Sequence, residues 1–265
     1  MITAKIKDWL AHPLTRGLSL DDPRTTVIRR QIIKGKPFLR HIYEEWYVAL
    51  ARALPQGIEP VLEIGSGAGF LSDFVPGLIT SEVFAYPGVR VALDAMRLPF
   101  ADGALRGIVM TDVLHHISQP RCFMAEATRC VRSGGVIAMV EPWVSSWSRM
   151  VYTHLHHEPF QPEAAGWGFS TSGPLSDANG ALPWIMFERD RARFQREFPM
   201  WRIQTIKPVL PFRYLVSGGL SMRSLMPGKA TPIWRWIERG LMPWMKSWAM
   251  FAEIVLVHGE AKWAE

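Results

Sequence analysis

A short apolar run that ends in three closely spaced glycines constrains this chain more than any other feature. Val61 to Ile64 is typical of a short buried strand, and Gly65, Gly67 and Gly69 follow it at once. Glycine has no Cβ, so this backbone can turn sharply and lie against a ligand. A helix is expected next, with free N–H groups and a positive dipole end facing the same ligand. The pattern predicts a binding loop for a nucleotide-like cofactor without identifying which one.

Length and composition indicate a folded α/β domain with an appended cap. The 265 residues are 48% hydrophobic and 20% charged, with a formal net charge of +6. No run of basic residues is longer than Arg29-Arg30, so basic residues scattered over solvated faces are favoured over a nucleic-acid site. Only Cys122 and Cys130 occur, which favours a reducing cytoplasm and excludes a four-cysteine zinc site.

The sequence predicts no targeting or membrane-spanning segment. Met1 to Leu10 lacks the apolar core of a signal peptide. No window reaches the roughly 18 uncharged apolar residues that would span a bilayer. We therefore expect a cytoplasmic protein, and a peripheral contact at the inner membrane face stays open. The oligomeric state is not predicted.

The hydrophobic pattern divides the chain into an N-terminal helical segment (1–57), a cofactor-binding core (58–142) and a substrate cap with closing strands of the same domain (143–265). The expected fold is α/β: a Rossmann-like, mostly parallel sheet with helices on both faces, an antiparallel last strand and a helical cap. Strands are predicted at 59–64, 78–83, 89–93, 107–111, 135–140, 201–207 and 249–257, and helices at 24–33, 38–54, 120–132, 183–197 and 232–248.

The link between the second and third predicted strands is unusually short. Only Val83 to Gly88 separate Glu82 from Val89, whereas a helical crossover between parallel strands needs about a dozen residues or more. Either a helix is missing there or one of the two strand predictions is wrong.

Polar residues follow the other predicted strands at positions where ligands bind in open α/β folds. Glu82 ends the second strand and could accept both hydroxyls of a ribose. Asp94 follows the third strand, and Thr111 and Asp112 end the fourth. These positions extend the glycine loop into a larger ligand site.

Four segments together resemble the successive motifs of the class I S-adenosylmethionine-dependent methyltransferases. They are Val61–Gly69, Asp94–Phe100, Asp112–His116 and Val131–Gly135. The nearest group is the small-molecule, methyltransferase type 11-like branch, which includes quinone C-methyltransferases. The resemblance covers residues 58–142 and does not extend to the acceptor.

The resemblance implies that S-adenosyl-L-methionine is the cofactor. Glu63 is expected near the ammonium group, Glu82 at the ribose, Asp94 at the adenine, and Thr111 with Asp112 near the sulfonium. The complete set implied for the cofactor is Glu63, Gly65, Ser66, Gly67, Gly69, Glu82, Asp94, Ala95, Met96, Thr111 and Asp112.

Other readings of the glycine loop are weaker. A nicotinamide dehydrogenase would have its third glycine one residue later, and no Tyr-x-x-x-Lys pattern accompanies this loop. A phosphate-binding Walker loop is excluded because no Lys-Ser/Thr follows, and two cysteines disfavour radical use of the cofactor. A cofactor-binding partner protein without transferase activity stays open, since fold does not establish function.

Histidines are the candidate general bases for methyl transfer, because imidazole suits proton transfer near pH 7. His115 and His116 follow the fourth strand, although either could instead cap a helix or pack on the sheet. His157 belongs to a second cluster, 154–158, on the expected rim of the pocket. That spacing matches no strong zinc pattern, so no metal site is expected.

The acceptor pocket is expected to involve Glu141, Trp143, Tyr152 and His156, with Trp143 equally compatible with the core. Ten of the twelve tryptophans lie after residue 142, and those near 234–248 alternate with basic residues as at membrane interfaces. With the resemblance to methyltransferases, we expect O- or C-methylation of a small or lipid-linked acceptor. A nucleic acid or protein acceptor is disfavoured because no basic groove or RNA-binding module is recognisable.

Overall fold

The computed structural model describes residues 11–15, 24–155, 158–170 and 177–259, which form a seven-stranded sheet with helices on both faces. The strands are β1 (Val61–Ile64), β2 (Ile79–Glu82), β3 (Val91–Ala92), β4 (Leu105–Thr111), β5 (Val131–Pro142), β6 (Trp201–Val209) and β7 (Phe251–His258). The α-helices are α1 (Arg24–Gly35), α2 (Pro37–Ala53), α3 (Pro120–Cys130), α4 (Ser146–Leu155), α5 (Leu182–Trp184), α6 (Arg191–Glu197), α7 (Arg213–Ser217), α8 (Thr231–Gly240) and α9 (Met245–Trp248).

The strands are arranged in the order β3-β2-β1-β4-β5-β7-β6. The first five are parallel, and β7 runs antiparallel between β5 and β6. This confirms the expected Rossmann-like sheet with an antiparallel last strand. The carboxyl ends of β1, β2 and β4 therefore meet at one edge, which is where this class of sheet binds its ligands.

Both faces of the sheet are buried, as the apolar strands predicted. Alternate side chains of β4 and β5 belong to two different hydrophobic clusters: Ile108 and Met110 to one, Val109 to the other. This alternation follows from the two-residue repeat of a strand. Helix α3 packs on the first face with Phe123, Met124 and Ala127.

Two connections lack the helix that was expected. After the glycine loop there is only a 3₁₀ turn, Leu71–Asp73, so the predicted α-helix at this position was wrong. Between β2 and β3 the chain crosses by an irregular link, yet Ser81 and Val91 are paired in parallel register. Both strand predictions are thus correct and the helix is missing, because a link of this length has no room for one.

Helix α2 covers the face that those connections leave bare. Its buried side chains recur with helical spacing and belong to the second cluster. They are Phe38, Leu39, Ile42, Tyr43, Trp46, Tyr47 and Leu50. The N-terminal segment is therefore an integral layer of the domain.

The cap is less regular than predicted. The helix expected at 183–197 is divided into α5, a π-helical stretch Ile185–Arg189 and α6. The helix expected at 232–248 is broken near Gly240 and Pro243 into α8, a 3₁₀ turn and α9, as the helix-breaking residues indicated. In the described part of the chain, no helix has both the length and the apolar character needed to cross a membrane.

An ion-pair network fastens the cap to α2. The guanidinium of Arg213 donates to both oxygens of Glu45 at 2.7 Å each, and its Nε donates to Glu238 at 2.5 Å. Arg235 also donates to Glu45, at 2.6 Å. Arg213 and Glu238 are buried, whereas Arg235 is substantially exposed. The planar guanidinium fits this bidentate arrangement.

Replacing Arg213 by methionine is expected to lower the free energy of unfolding by about 3–5 kcal/mol, because the carboxylate of Glu238 would stay buried without its cation. Urea denaturation followed by tryptophan fluorescence measures this loss. Arg235→Met is the matched control, since it removes an exposed charge from the same Glu45 and should cost less than about 1 kcal/mol. Equal losses for the two variants would contradict the importance of burial.

Candidate functional site

A cavity of about 1200 Å³ opens at the carboxyl ends of β1, β2 and β4. Its wall combines the glycine loop with side chains from α2, α4 and the segment 214–225. All the residues implied for the cofactor line it: Glu63, Gly65, Ser66, Gly67, Gly69, Glu82, Asp94, Ala95, Met96, Thr111 and Asp112. The structure thus brings together four separate stretches of sequence, the first and last of which, at Glu63 and Asp112, lie 49 positions apart.

The glycine loop is held in a conformation that requires glycine. Gly65 and Gly67 have φ angles of +65° and +47°, in the left-handed region. A Cβ on Gly65 would lie 2.5 Å from Cγ2 of Val113. The N–H of Gly67 donates to Oε1 of Glu82 at 2.7 Å, and Tyr86 Oη donates to the Gly67 carbonyl at 2.5 Å. The loop is therefore closed around the carboxylate that ends β2.

The position that the resemblance implies for the adenine is formed by a tight turn after β3. The N–H of Met96 donates to Oδ1 of Asp94 at 2.8 Å, and the N–H of Arg97 donates to the Asp94 carbonyl at 3.0 Å. This turn places Asp94, Ala95 and Met96 along the cavity wall. A carboxylate beside a flexible apolar side chain can bind both the edge and the face of a flat ring.

One buried and one half-buried acid, Glu63 and Glu82, make this part of the cavity acidic. Burial raises the pKa of Glu63 to about 7, with a further contribution from the negative charge of Glu82. Burial also raises the pKa of Glu82, against hydrogen bonds from the N–H groups of Gly67 and Val83. A ligand that carries positive charge would relieve the cost of ionising these carboxyls.

A second polar group lies at the other side of the cavity and is centred on His115. This imidazole is fully buried, and its Nδ1 lies 2.8 Å from Oε2 of Glu141. The other oxygen of Glu141 accepts from the N–H groups of Val113 and Leu114. Burial disfavours the charged ring, but Glu141, Glu158 and Asp112 outweigh it and raise the pKa of His115 well above its ordinary value.

His116 and Asp112 flank His115 and face the cavity. Burial, together with the charge of His115, lowers the pKa of His116 to about 4. Burial raises the pKa of Asp112 to about 7, with His115 opposing and Glu158 adding to the shift. Asp112 also has a φ of +63°, an uncommon backbone conformation that occurs often at functional sites.

The residues predicted for the acceptor pocket do not all lie at the cavity. Tyr152 lines the cavity. Glu141 lies behind the wall, where it fixes His115, and Trp143 is buried in the core and does not reach the cavity. His156 and His157 lie outside the described residues.

Sequence reasoning missed residues that reach the cavity from distant segments. Glu158, recognised only as part of a histidine-rich cluster, approaches Nε2 of His115 to 3.6 Å. Tyr43 and Tyr47 reach the wall from α2, and Tyr214 reaches it from the cap. The four-residue spacing of the α2 tyrosines marked a helix face, but nothing local showed that this face meets the glycine loop.

A family model described as a methyltransferase domain matches residues 62–139. These residues contain β2 to β4, most of β1 and β5, and the whole glycine loop. Within residues 62–139 the chain is therefore similar to a methyltransferase domain. No curated protein matches the chain in sequence.

Solved structures of methyltransferases share the fold. One is a chain of the complex between the Haloferax volcanii Trm112 methyltransferase activator and a methyltransferase, with 13% identity over 91% of this chain and 98% of that chain, at a TM-score of 0.51. Another is geranyl diphosphate C-methyltransferase from Streptomyces coelicolor A3(2) in complex with Mg²⁺, geranyl diphosphate and S-adenosyl-L-homocysteine, with 14% identity over 94% and 91% of the two chains and a TM-score of 0.51. At such identities the likeness is one of fold alone.

The cavity of this methyltransferase domain fits S-adenosylmethionine. Gly65, Gly67 and Gly69 add no side chains to the wall, Glu63 and Glu82 offer acids to a cationic ligand, and Asp94 also lines the cavity. Thr111 Oγ1 is buried without a hydrogen-bond partner among the described residues.

Binding of S-adenosylmethionine is expected to strengthen about tenfold between pH 5.5 and pH 7, because only the ionised form of Glu63 attracts the ligand ammonium. With a pKa of about 7, the ionised fraction rises from roughly 3% to 50% over this interval, whereas an ordinary glutamate would already be ionised. Titration calorimetry at several pH values measures the slope.

Two controls isolate Glu63. Glu63→Gln should lose most of the slope, and methylthioadenosine, which lacks the amino-acid part, should bind the unaltered protein without it. An affinity that stays constant over this pH range would contradict the assignment of Glu63 to the ammonium group.

Proposed function

We propose that this protein transfers the methyl group of S-adenosylmethionine to an oxygen or carbon of a small, largely apolar or lipid-linked acceptor. The observation that carries the proposal is the size of the cavity. Its volume of about 1200 Å³ exceeds the range of about 300–1,000 Å³ that is usual for a site with one small ligand. There is room for an acceptor beside the cofactor.

The acceptor half of the cavity is mainly apolar. Its wall is made by segments that pack over the sheet edge, and the apolar or aromatic side chains that contribute are Ile33, Tyr43, Tyr47, Val151, Tyr152, Phe160, Tyr214, Leu215, Val216, Leu220, Met222, Leu225 and Phe251. Such a wall binds an apolar body by removing its surface from water. The polar group of His115, His116, Asp112 and Glu158 then lies where the reactive end of the acceptor would be held.

When bound, S-adenosylmethionine supplies an electrophilic methyl group on its sulfonium. The residues of this chain contribute position and exclusion of water, which are the main requirements of an in-line displacement. His116 faces the cavity beside His115, which Glu141 holds in place, so His116 is positioned to orient an acceptor hydroxyl or enol and to act on its proton.

Radiolabelled S-adenosylmethionine incubated with lipid and metabolite extracts is expected to label an acceptor that partitions into organic solvent. Leu215→Asn, in the apolar wall, should raise the KM for that acceptor at least tenfold, because it loses about 1.5–3 kcal/mol of apolar contact. The affinity for S-adenosylmethionine should not change.

Ile58→Asn provides the matched control, since Ile58 is fully exposed and does not line the cavity. Label confined to water-soluble products would contradict an apolar acceptor. Binding of S-adenosylmethionine with no transfer to any fraction would instead favour a cofactor-binding partner protein.

The outer surface of the cap supports delivery of the acceptor from an anionic membrane. Ile233, Trp236, Met242, Trp244 and Trp248 are exposed large hydrophobic residues on α8, α9 and the turn between them. Lys229, Arg239 and Lys246 are exposed beside them. Tryptophan with lysine and arginine suits the interface of a bilayer that carries negative headgroups.

The protein is expected to sediment with phosphatidylglycerol vesicles, and the double variant Trp236→Ser/Trp244→Ser should weaken this binding at least tenfold. Ile58→Ser removes an exposed apolar residue elsewhere and should leave binding unchanged. Equal sedimentation of all three proteins, or none with any anionic vesicle, would contradict the membrane contact and leave the methyl-transfer proposal untouched.

A further inference from the structure

The group around His115 contains a buried nitrogen without a hydrogen-bond partner in the described part of the chain. His115 is fully buried, and its Nδ1 is hydrogen-bonded to Glu141. Its Nε2 has no hydrogen-bond partner among the described residues. Buried polar atoms are almost always paired, so an orphan of this kind indicates a missing ligand or ion.

The nearest acceptors lie too far from this nitrogen for hydrogen bonds. Nε2 of His115 lies 3.6 Å from Oε2 of Glu158 and 3.9 Å from Oδ1 of Asp112. Nε2 of His116 lies 4.0 Å from Oε1 of Glu158. Two atoms that bind one ion at about 2.0–2.2 Å each are separated by roughly 3–4 Å. The separations are therefore those of ligands around a common centre.

Three of these residues converge closely enough to hold one ion. One ligand atom each from His115, His116 and Glu158 lies within 4.8 Å of the others. We propose that these three side chains form a binding site for a divalent transition-metal ion, with Asp112 as a further ligand.

The ligand types define the class of ion. Two imidazole nitrogens with one or two carboxylates suit Zn²⁺, Mn²⁺, Fe²⁺ or Co²⁺, whereas Mg²⁺ and Ca²⁺ favour ligand sets made of oxygen. Three carboxylates, those of Asp112, Glu141 and Glu158, surround the two histidines. A doubly charged cation would balance this concentration of negative charge.

Glu141 occupies the position of an outer-shell carboxylate. It accepts from the backbone N–H groups of Val113 and Leu114 with one oxygen and contacts Nδ1 of His115 with the other. Such a carboxylate fixes the ring orientation of a metal-binding histidine and leaves Nε2 free to bind the ion. Glu141 is thus a positioning residue for the site.

The site faces the acceptor half of the cavity, because Asp112, His116 and Glu158 line its wall. A bound ion would present an open position to an acceptor oxygen, orient it and lower its pKa. This role rests on the proposed function, whereas the binding of the ion does not. In this arrangement His116 is a ligand and not the general base.

The test is metal uptake by the purified protein without S-adenosylmethionine or acceptor. After treatment with a chelator, titration with Mn²⁺, Zn²⁺ or Co²⁺ should show one site per chain, and Co²⁺ should give the visible absorption bands of a nitrogen- and oxygen-bound ion. His116→Ala and Glu158→Gln should each weaken binding at least tenfold, and Glu141→Gln should weaken it 10–100-fold.

His154→Ala is the matched control, since this histidine is exposed on α4 close to Glu158 in sequence. It should bind the ion as the unaltered protein does, and thermal melting of each variant shows whether it has folded. The absence of uptake near pH 8, or uptake that His116→Ala and Glu158→Gln leave unchanged, would overturn the proposal. Calorimetry with S-adenosylmethionine on the same samples tests the proposed function separately.

Discussion

The sheet must be covered on both faces, and this requirement determines where the cavity forms. A parallel sheet is apolar on both sides and needs a layer on each. The connections that follow β1 and β2 contain no α-helix, so they leave one face short of cover. Helix α2 and the cap fill that gap, and their side chains, such as Tyr47 and Tyr214, become part of the cavity wall.

The covering layers are fastened to each other by charge. Arg213 connects Glu45 on α2 with Glu238 on α8. Lys36, at the start of α2, is buried and donates to the carbonyls of Gly219 and Met222, and burial lowers its pKa to about 8. These buried contacts join α2 to the segment 213–222 of the cap, and both of these parts contribute residues to the cavity wall.

The sequence predicted what depends on local pattern. The seven strands, the glycine loop and the helices at 24–33, 38–54 and 120–132 were found from hydrophobic period and turn residues, because these signals lie within one element. A helix was wrongly predicted after Gly69, because a glycine loop can be followed either by an α-helix or by a short turn. The link before Val89 could be recognised as too short by counting residues alone.

Contacts between distant segments could not be predicted in this way. His115 and His116 appeared as one cluster and His154 to Glu158 as another, and only the folded chain places Glu158 beside both rings. Trp143 has the sequence context of a pocket residue, but its side chain turns into the core. The hydrophobic period and the motifs predict which face of a helix or strand a residue occupies. They do not predict which residue from a distant segment will contact it.

The architecture also separates the two cofactor classes that a glycine loop can serve. A dinucleotide places its pyrophosphate at the N-terminus of a helix that follows the loop. Here only a 3₁₀ turn follows, and the N–H of Gly67 is already taken by the carboxylate of Glu82. The buried acid Glu63 would repel phosphate and attract a cation. The loop is therefore unsuited to a dinucleotide and well suited to a donor that carries a sulfonium and an ammonium group.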